Sequence, residues 1–216
     1  MATRRAWILV GGWSGHQPEQ VAEIQAEDLT AEGFTVEIFQ NLDCLTDAER
    51  LRDVDLIVPN WTMGQIAAEA LNSWLAAVRA GTGVAGLHGG MGDAFRDAPA
   101  YQWMVGGQWV AHPGDGGVTY DVHVVDPADP LTSGINDFTV TTEQYYMHVD
   151  PANRVVATTQ FGAVTMPVAW TKTFGQGRIF YCSLGHSPDI VERPEVRTLM
   201  RRGMVFAARA DQEGIR

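Results

Sequence analysis

The sequence has little cysteine, little positive charge and no long apolar run. Its two cysteines, Cys44 and Cys182, cannot form a disulfide framework and favour a reducing cytoplasm. The balance of 15 Lys and Arg against 26 Asp and Glu gives a net charge of −11, which disfavours nucleic-acid binding. No apolar run approaches the roughly 20 residues of a membrane span, and the run at 6–10 is shorter than a secretory signal core of about 7–15 residues. We expect a cytoplasmic protein that binds neither nucleic acid nor membrane.

The first 90 residues alternate buried strands with amphipathic helices. The pattern predicts strands at residues 6–10, 35–39, 56–58 and 84–87, and helices at 17–32 and 66–78. We expect Pro59 to end the third strand and Gly33 to end the first helix. Strands that alternate with helices indicate a doubly wound, mainly parallel sheet with right-handed crossovers.

The second half of the chain is dominated by short strands. They are predicted at residues 119–125, 138–142, 155–159, 167–171 and 178–183, and a helix follows over about 194–210. No linker-like stretch separates the two halves. The sequence therefore predicts an α/β fold in one domain, residues 1–216, with an antiparallel extension of the parallel sheet.

Histidines and tryptophans follow the predicted parallel strands. Trp13 and His16 follow the first strand, Trp61 the third and His88 the fourth. Ligands of an open parallel sheet bind beyond the carboxyl ends of its strands, so we expect a binding site at this edge. The glycines at 11–12 lack the spacing of a dinucleotide or P-loop motif, which disfavours a nucleotide.

The segment 86–90, Gly-Leu-His-Gly-Gly, has the form of a nucleophile elbow with His88 in the central position. An imidazole there suits a general base, an oxyanion donor or a metal ligand. The plainer alternative is a histidine that only satisfies loop carbonyls. We favour a functional role because functional groups concentrate on rigidly held loops.

Other candidates lie in loops or at strand ends. His112 lies in a glycine-rich loop at 110–117, His148 follows a polar-aromatic cluster at 143–146, and His186 follows the last predicted strand. The loop tryptophans, Trp109 among them, suit stacking on a sugar ring, with packing as the commoner alternative. They equally suit a surface for homo-oligomer formation.

Several segments together resemble the trehalose-utilisation (ThuA-like) family. They are residues 86–90, Trp109, His112-Pro113, and the segments 167–171, 175–181 and 183–186. The resemblance covers nearly the whole chain in the expected order. It implies a flavodoxin-like α/β fold of the class I glutamine amidotransferase-like type, which agrees with the sheet predicted from the strand pattern.

The resemblance also implies which chemistry is missing. Where amidotransferases carry a nucleophilic cysteine this chain has His88, so glutamine hydrolysis through a thioester is excluded. His186 and Asp189 resemble the late His-acid pair of those enzymes. Family members carry an Asp-Glu-x-Tyr segment, and here Glu143 and Tyr145 fit it while Thr142 replaces the aspartate.

The family implies a role in carbohydrate catabolism. Our first hypothesis is an enzyme, a hydrolase, lyase or isomerase, that acts on trehalose-like disaccharides or their 3-keto derivatives by proton transfer. The predicted catalytic residues are His88, Glu143 and His186; the predicted substrate-binding residues are Trp13, His16, Trp61, Trp109, His112, Tyr145 and His148. A metal-assisted version has His16, His88 and His186 as ligands of a divalent ion such as zinc. The alternative is a non-catalytic sugar-binding or regulatory module on the same fold.

Overall fold

The computed structural model describes residues 4–209. The strands are β1 (Arg4–Gly12), β2 (Phe34–Phe39), β3 (Leu56–Thr62), β4 (Gly83–Leu87), β5 (Gly107–Ala111), β6 (Val118–Val124), β7 (Phe138–Thr142), β8 (Tyr146–Val149), β9 (Arg154–Phe161), β10 (Val164–Phe174) and β11 (Gly177–Cys182). The helices are α1 (Pro18–Ala31), α2 (Ala48–Arg52), α3 (Ala68–Arg79), α4 (His88–Gly92), α5 (Pro99–Val105), α6 (Pro188–Val191) and α7 (Pro194–Ala207). Residues 1–3 and 210–216 of the predicted domain, including the expected helix end at 210, lie outside the described residues.

Nine strands form one sheet in the order β2-β1-β3-β4-β11-β10-β9-β6-β7. The five strands from β2 to β11 are parallel, and the four from β10 to β7 pair antiparallel. This confirms the predicted flavodoxin-like α/β fold with an antiparallel extension. The extension shares the sheet because β11 pairs with β4 on one side and with β10 on the other.

The sheet carries a hydrophobic layer on each face. Alternate residues of β1 divide between them, since Ile8 and Val10 join one buried cluster while Trp7 and Leu9 join the other. Strands buried on both faces are expected to be continuously apolar, as residues 6–10 are. Among residues 4–209, the structure has no helix that is long and apolar enough to cross a membrane.

Strand β3 is longer than predicted. It continues through Pro59 to Thr62. It pairs with β4 only at Leu56 and Ile57, so beyond them one side of β3 makes no ladder bonds and tolerates a residue without an N–H. The small antiparallel sheet of β5 and β8, two strands distant in the sequence, is an element that the sequence pattern did not predict.

Candidate functional site

Four side chains from four strand ends meet at the carboxyl edge of the parallel strands. His16 follows β1, His88 follows β4, Glu143 follows β7 and His186 follows β11. One potential ligand atom from each lies within 4.8 Å of the other three. We call these four residues the central cluster. The structure thus brings together the three predicted catalytic residues and the predicted metal ligands.

The backbone at His88 makes this meeting possible. His88 has a left-handed φ of 47°, which turns the chain sharply between β4 and α4. The Tyr181 hydroxyl donates to the His88 carbonyl at 3.0 Å and holds the turn. A Cβ on Gly89 would lie 2.5 Å from Cε1 of His16, so only glycine lets the imidazole of His16 approach the turn this closely.

The hydrogen bonds of His88 define its tautomer. Its Nδ1 donates to the Ser183 carbonyl at 2.8 Å. Its Nε2 faces two groups, the Glu143 carboxylate at 3.0 Å and the Tyr145 hydroxyl at 2.8 Å. A neutral His88 accepts from Tyr145, whereas a protonated His88 donates to Glu143. His88 is therefore placed to pass a proton towards or away from the carboxylate.

The close packing of the cluster shifts the pKa values of its members. Burial lowers the pKa of His16 to about 3, with the neighbouring His88 and His186 adding to the shift, so His16 is neutral at physiological pH. Burial by itself raises the pKa of Glu143, but the contacts with His186 and His88 outweigh it and hold the pKa below its usual value. The Glu143 carboxylate, 3.4 Å from Nδ1 of His186, raises the pKa of that histidine.

The central cluster has the composition of a zinc site, three imidazoles and a carboxylate. Atoms bound at about 2.0–2.1 Å to a tetrahedral zinc ion are about 3.4 Å apart, so the set, whose atoms lie within 4.8 Å of one another, must contract by up to about 1.4 Å around an ion. Metal-bound imidazoles usually engage their other ring nitrogen in a hydrogen bond. Nδ1 of His88 is bonded to Ser183, and Nδ1 of His16 lies 2.7 Å from the Thr62 hydroxyl. The residues present therefore fit a divalent ion.

A cavity of about 340 Å³ opens beside the cluster. Its walls include six residues predicted from the sequence: Trp13, His16, Trp109, His112, Glu143 and Tyr145. Tyr145 stacks on His88, with ring centroids 4.1 Å apart, and forms the inner end of the wall. The exposed ring of Trp13 lies at its mouth.

Two predicted substrate-binding residues do not line this cavity. The Trp61 ring packs over Gly11, where an added Cβ would lie 2.5 Å from it. His148 is exposed on β8, because alternation along the strand directs Met147 towards the core and its neighbour outwards. Trp61 and His148 therefore lie apart from the other predicted substrate-binding residues.

The acid partner of His186 also differs from the one the family resemblance implied. Asp189 accepts from the Ser187 hydroxyl, while Glu143 faces the imidazole of His186. The carboxylate comes from β7 in the antiparallel extension, which no pattern around residue 186 could indicate.

Three charged residues of the cavity wall were missed: Asp93, Arg96 and Asp115. Asp93 lies in the segment that follows β4, and its place after a strand could have identified it as a site residue. Arg96 had none, since it reaches the cavity through an isolated bridge between Met63 and Ala94 that joins two loops.

The fold and the site together define a glutamine amidotransferase-like α/β protein in which the elbow carries a histidine instead of a nucleophilic cysteine. The model of the ThuA family, described as trehalose utilisation, matches residues 5–207. The chain belongs to this family, which supports a role in carbohydrate utilisation. No curated protein matches the sequence.

Solved structures share the fold. A ThuA-like protein from Bacteroides uniformis is 15% identical with a TM-score of 0.78, over 94% of this chain and 89% of that chain. A ThuA-like protein from Parabacteroides merdae is 18% identical with a TM-score of 0.74, over 94% and 90%. A cytoplasmic protein from Salmonella typhimurium is 11% identical with a TM-score of 0.68, over 94% and 100%.

Proposed function

We propose that this protein is an enzyme that acts on trehalose-like disaccharides or their 3-keto derivatives by proton transfer at the central cluster. The observation that carries the proposal is the meeting of His16, His88 and His186 with the single carboxylate of Glu143 beside a cavity. Family membership supports the carbohydrate, and the cluster supports the chemistry.

Glu143 is the proposed proton acceptor. Its lowered pKa keeps it ionised at neutral pH, and its Oε2 lies 3.0 Å from Nε2 of His88. A 3-keto sugar has an acidic C–H beside its carbonyl, so a carboxylate in reach of that proton starts the reaction. His88, oriented by the Ser183 carbonyl, then shares or relays the proton.

Tyr145 is the proposed donor to the substrate oxygen. Burial raises its pKa well above the usual value, so the phenol keeps its proton throughout the neutral range. The hydroxyl donates to Nε2 of His88, 2.8 Å away, while that nitrogen is unprotonated. Once that nitrogen carries a proton, the O–H is free to stabilise the negative charge that develops on the carbonyl oxygen as the C–H bond breaks. Trp13 and Trp109 offer flat surfaces for the sugar rings.

We also propose a metal-assisted version, in which a divalent ion such as zinc is held by His16, His88 and His186. Nε2 of His88 then binds the ion, because Nδ1 is bonded to the Ser183 carbonyl, and Glu143 alone accepts the proton. When bound, the ion supplies Lewis-acid stabilisation of the substrate carbonyl. We also propose a cytoplasmic location, in keeping with the two free cysteines and with the cytoplasmic Salmonella protein of the same fold.

The test combines metal analysis with turnover of 3-keto-trehalose. Protein purified without added ions is analysed for metal beside His88→Ala, in which we expect the bound ion to be lost. Glu143→Gln is expected to lower turnover by about 100-fold or more, because it removes the proton acceptor but keeps the shape of the side chain. Equal turnover in the parent, His88→Ala and Glu143→Gln would refute the mechanism. Tight disaccharide binding without any turnover would favour the sugar-binding module.

A further inference from the structure

An acid–base pair that the proposed mechanism does not use forms part of the cavity wall. Arg96 Nε and Nη2 donate to the two carboxylate oxygens of Asp93 at 2.6 and 2.8 Å. The Asp93 side chain is 7% exposed and that of Arg96 is 52% exposed. The carboxylate is thus anchored in the protein while the guanidinium faces the cavity.

The pair is held rigidly. The Arg96 guanidinium carbon lies 4.8 Å from the ring centroid of Trp109. The Asp93 carbonyl accepts from the Met63 amide at 3.0 Å, which fixes the loop that carries the pair. A fixed, planar pair can act as a recognition group without losing side-chain entropy when a ligand binds.

Each partner retains hydrogen-bonding capacity. Among the described residues, Nη1 of Arg96 has no hydrogen-bond partner, and each Asp93 oxygen retains a further acceptor site. The pair therefore presents donors beside acceptors on one edge. Two neighbouring sugar hydroxyls, each of which donates and accepts, complement such an edge.

The charge of the wall disfavours an anion. The residues that line the cavity include three carboxylates, Asp93, Asp115 and Glu143, against one guanidinium, Arg96, which Asp93 already neutralises. In the metal-free protein, a phosphate or carboxylate on a sugar would meet no unpaired guanidinium or ammonium group there and would lie close to acidic groups.

We infer that the Asp93–Arg96 pair is a specificity determinant, which binds two neighbouring hydroxyls of an uncharged sugar ring and rejects phosphorylated sugars. This inference rests on the proposed function and adds the substrate class to it. It assigns the pair a positioning role, because neither residue belongs to the central cluster.

Removing the charge of Asp93 and removing that of Arg96 should shift the preference between the two sugars in opposite directions, which makes the inference testable. Calorimetry in the presence of a chelator measures the dissociation constants of trehalose and trehalose 6-phosphate, with glucose and glucose 6-phosphate as a second pair. We expect Asp93→Asn, which frees the charge of Arg96, to shift the ratio of the two constants about tenfold towards the phosphate. We expect Arg96→Gln, which leaves Asp93 unpaired, to shift the ratio in the other direction.

A matched control comes from a similar pair far from the cavity. Arg197 Nε donates to both oxygens of the buried Asp28, at 3.0 and 3.2 Å. Asp28→Asn is expected to leave the ratio of dissociation constants unchanged. Circular dichroism of every variant verifies the fold.

Three outcomes would overturn the inference. They are a parent protein that prefers the phosphorylated sugar, equal weakening of both sugars in Asp93→Asn and Arg96→Gln, and a parent protein that binds neither sugar. Turnover of 3-keto-trehalose by the parent separates the last case from failure of the proposed function. If turnover is present, only the role of the Asp93–Arg96 pair falls; if it is absent, the proposed function falls as well.

Discussion

His16 makes the stability of the protein depend on pH. Its side chain is 8% exposed, and its pKa falls from 6.5 to about 3 through burial and through the neighbouring His88 and His186. The unfolded chain therefore takes up this proton at a higher pH than the folded protein does. The stabilising contribution is complete above about pH 6.5 and is lost as the pH falls towards 3.

The size of the effect follows from the shift. At about 1.36 kcal/mol per pKa unit, the full shift of His16 corresponds to about 5 kcal/mol. Between pH 7 and pH 5 the linkage relation gives a loss of about 2 kcal/mol, since the unfolded histidine is almost fully protonated at pH 5 while the folded one is neutral.

Urea denaturation at pH 7 and pH 5, in the presence of a chelator, measures this loss. The parent is compared with His16→Asn, which does not titrate and keeps an N–H near the Thr62 hydroxyl. We expect the free energy of unfolding of the variant to fall by about 2 kcal/mol less than that of the parent. An NMR titration of the parent is the second measurement, in which the His16 ring should stay neutral down to pH 5. Identical pH dependence in both proteins, or a His16 ring that titrates near pH 6.5, would refute the reasoning.

Three further predictions concern packing, the donor and the carboxylate. Gly203→Ala places a Cβ 2.2 Å from the Phe180 ring and should cost about 1–3 kcal/mol in urea denaturation, whereas Gly116→Ala, which meets no atom within 4 Å, should change stability by less than about 0.5 kcal/mol. Tyr145→Phe removes the hydroxyl 2.8 Å from Nε2 of His88 and should lower kcat by about 100-fold at unchanged metal content; a kcat equal to that of the parent argues against the donor role. Glu143→Gln removes the group that raises the pKa of His186, so NMR should show this pKa falling, and an unchanged value means that another group sets it.

Much of the fold could be predicted from the sequence because the central strands are buried on both faces. Continuous apolar runs such as residues 6–10 mark such strands clearly. The two-stranded sheet of β5 and β8 escaped prediction because its strands are short and only partly buried, so alternation along them is weak. Pro59 misled the prediction because its effect depends on which side of β3 is paired, a property of the assembled sheet.

Part of the candidate site could likewise be predicted from the sequence, and part could not. The rule that ligands bind at the carboxyl ends of parallel strands indicated His16 and His88. His186 was indicated only by its place after the last predicted strand, which the structure shows to be parallel to β4. Arg96 follows no strand and reaches the wall through contacts between two loops, so its position depends on tertiary structure alone. His148 was misplaced because its strand was not predicted, and with it the alternation that turns the side chain outwards.

The order in which the chain is made has a consequence for the central cluster. Its four members are spread from residue 16 to residue 186, and β11, which carries the last of them, must insert between β4 and β10. During translation, the amino-terminal strands leave the ribosome long before the segment that completes the site. A nascent chain therefore lacks the complete central cluster until residue 186 has been made, and no proteolytic fragment that lacks either end of the span from His16 to His186 contains all four members.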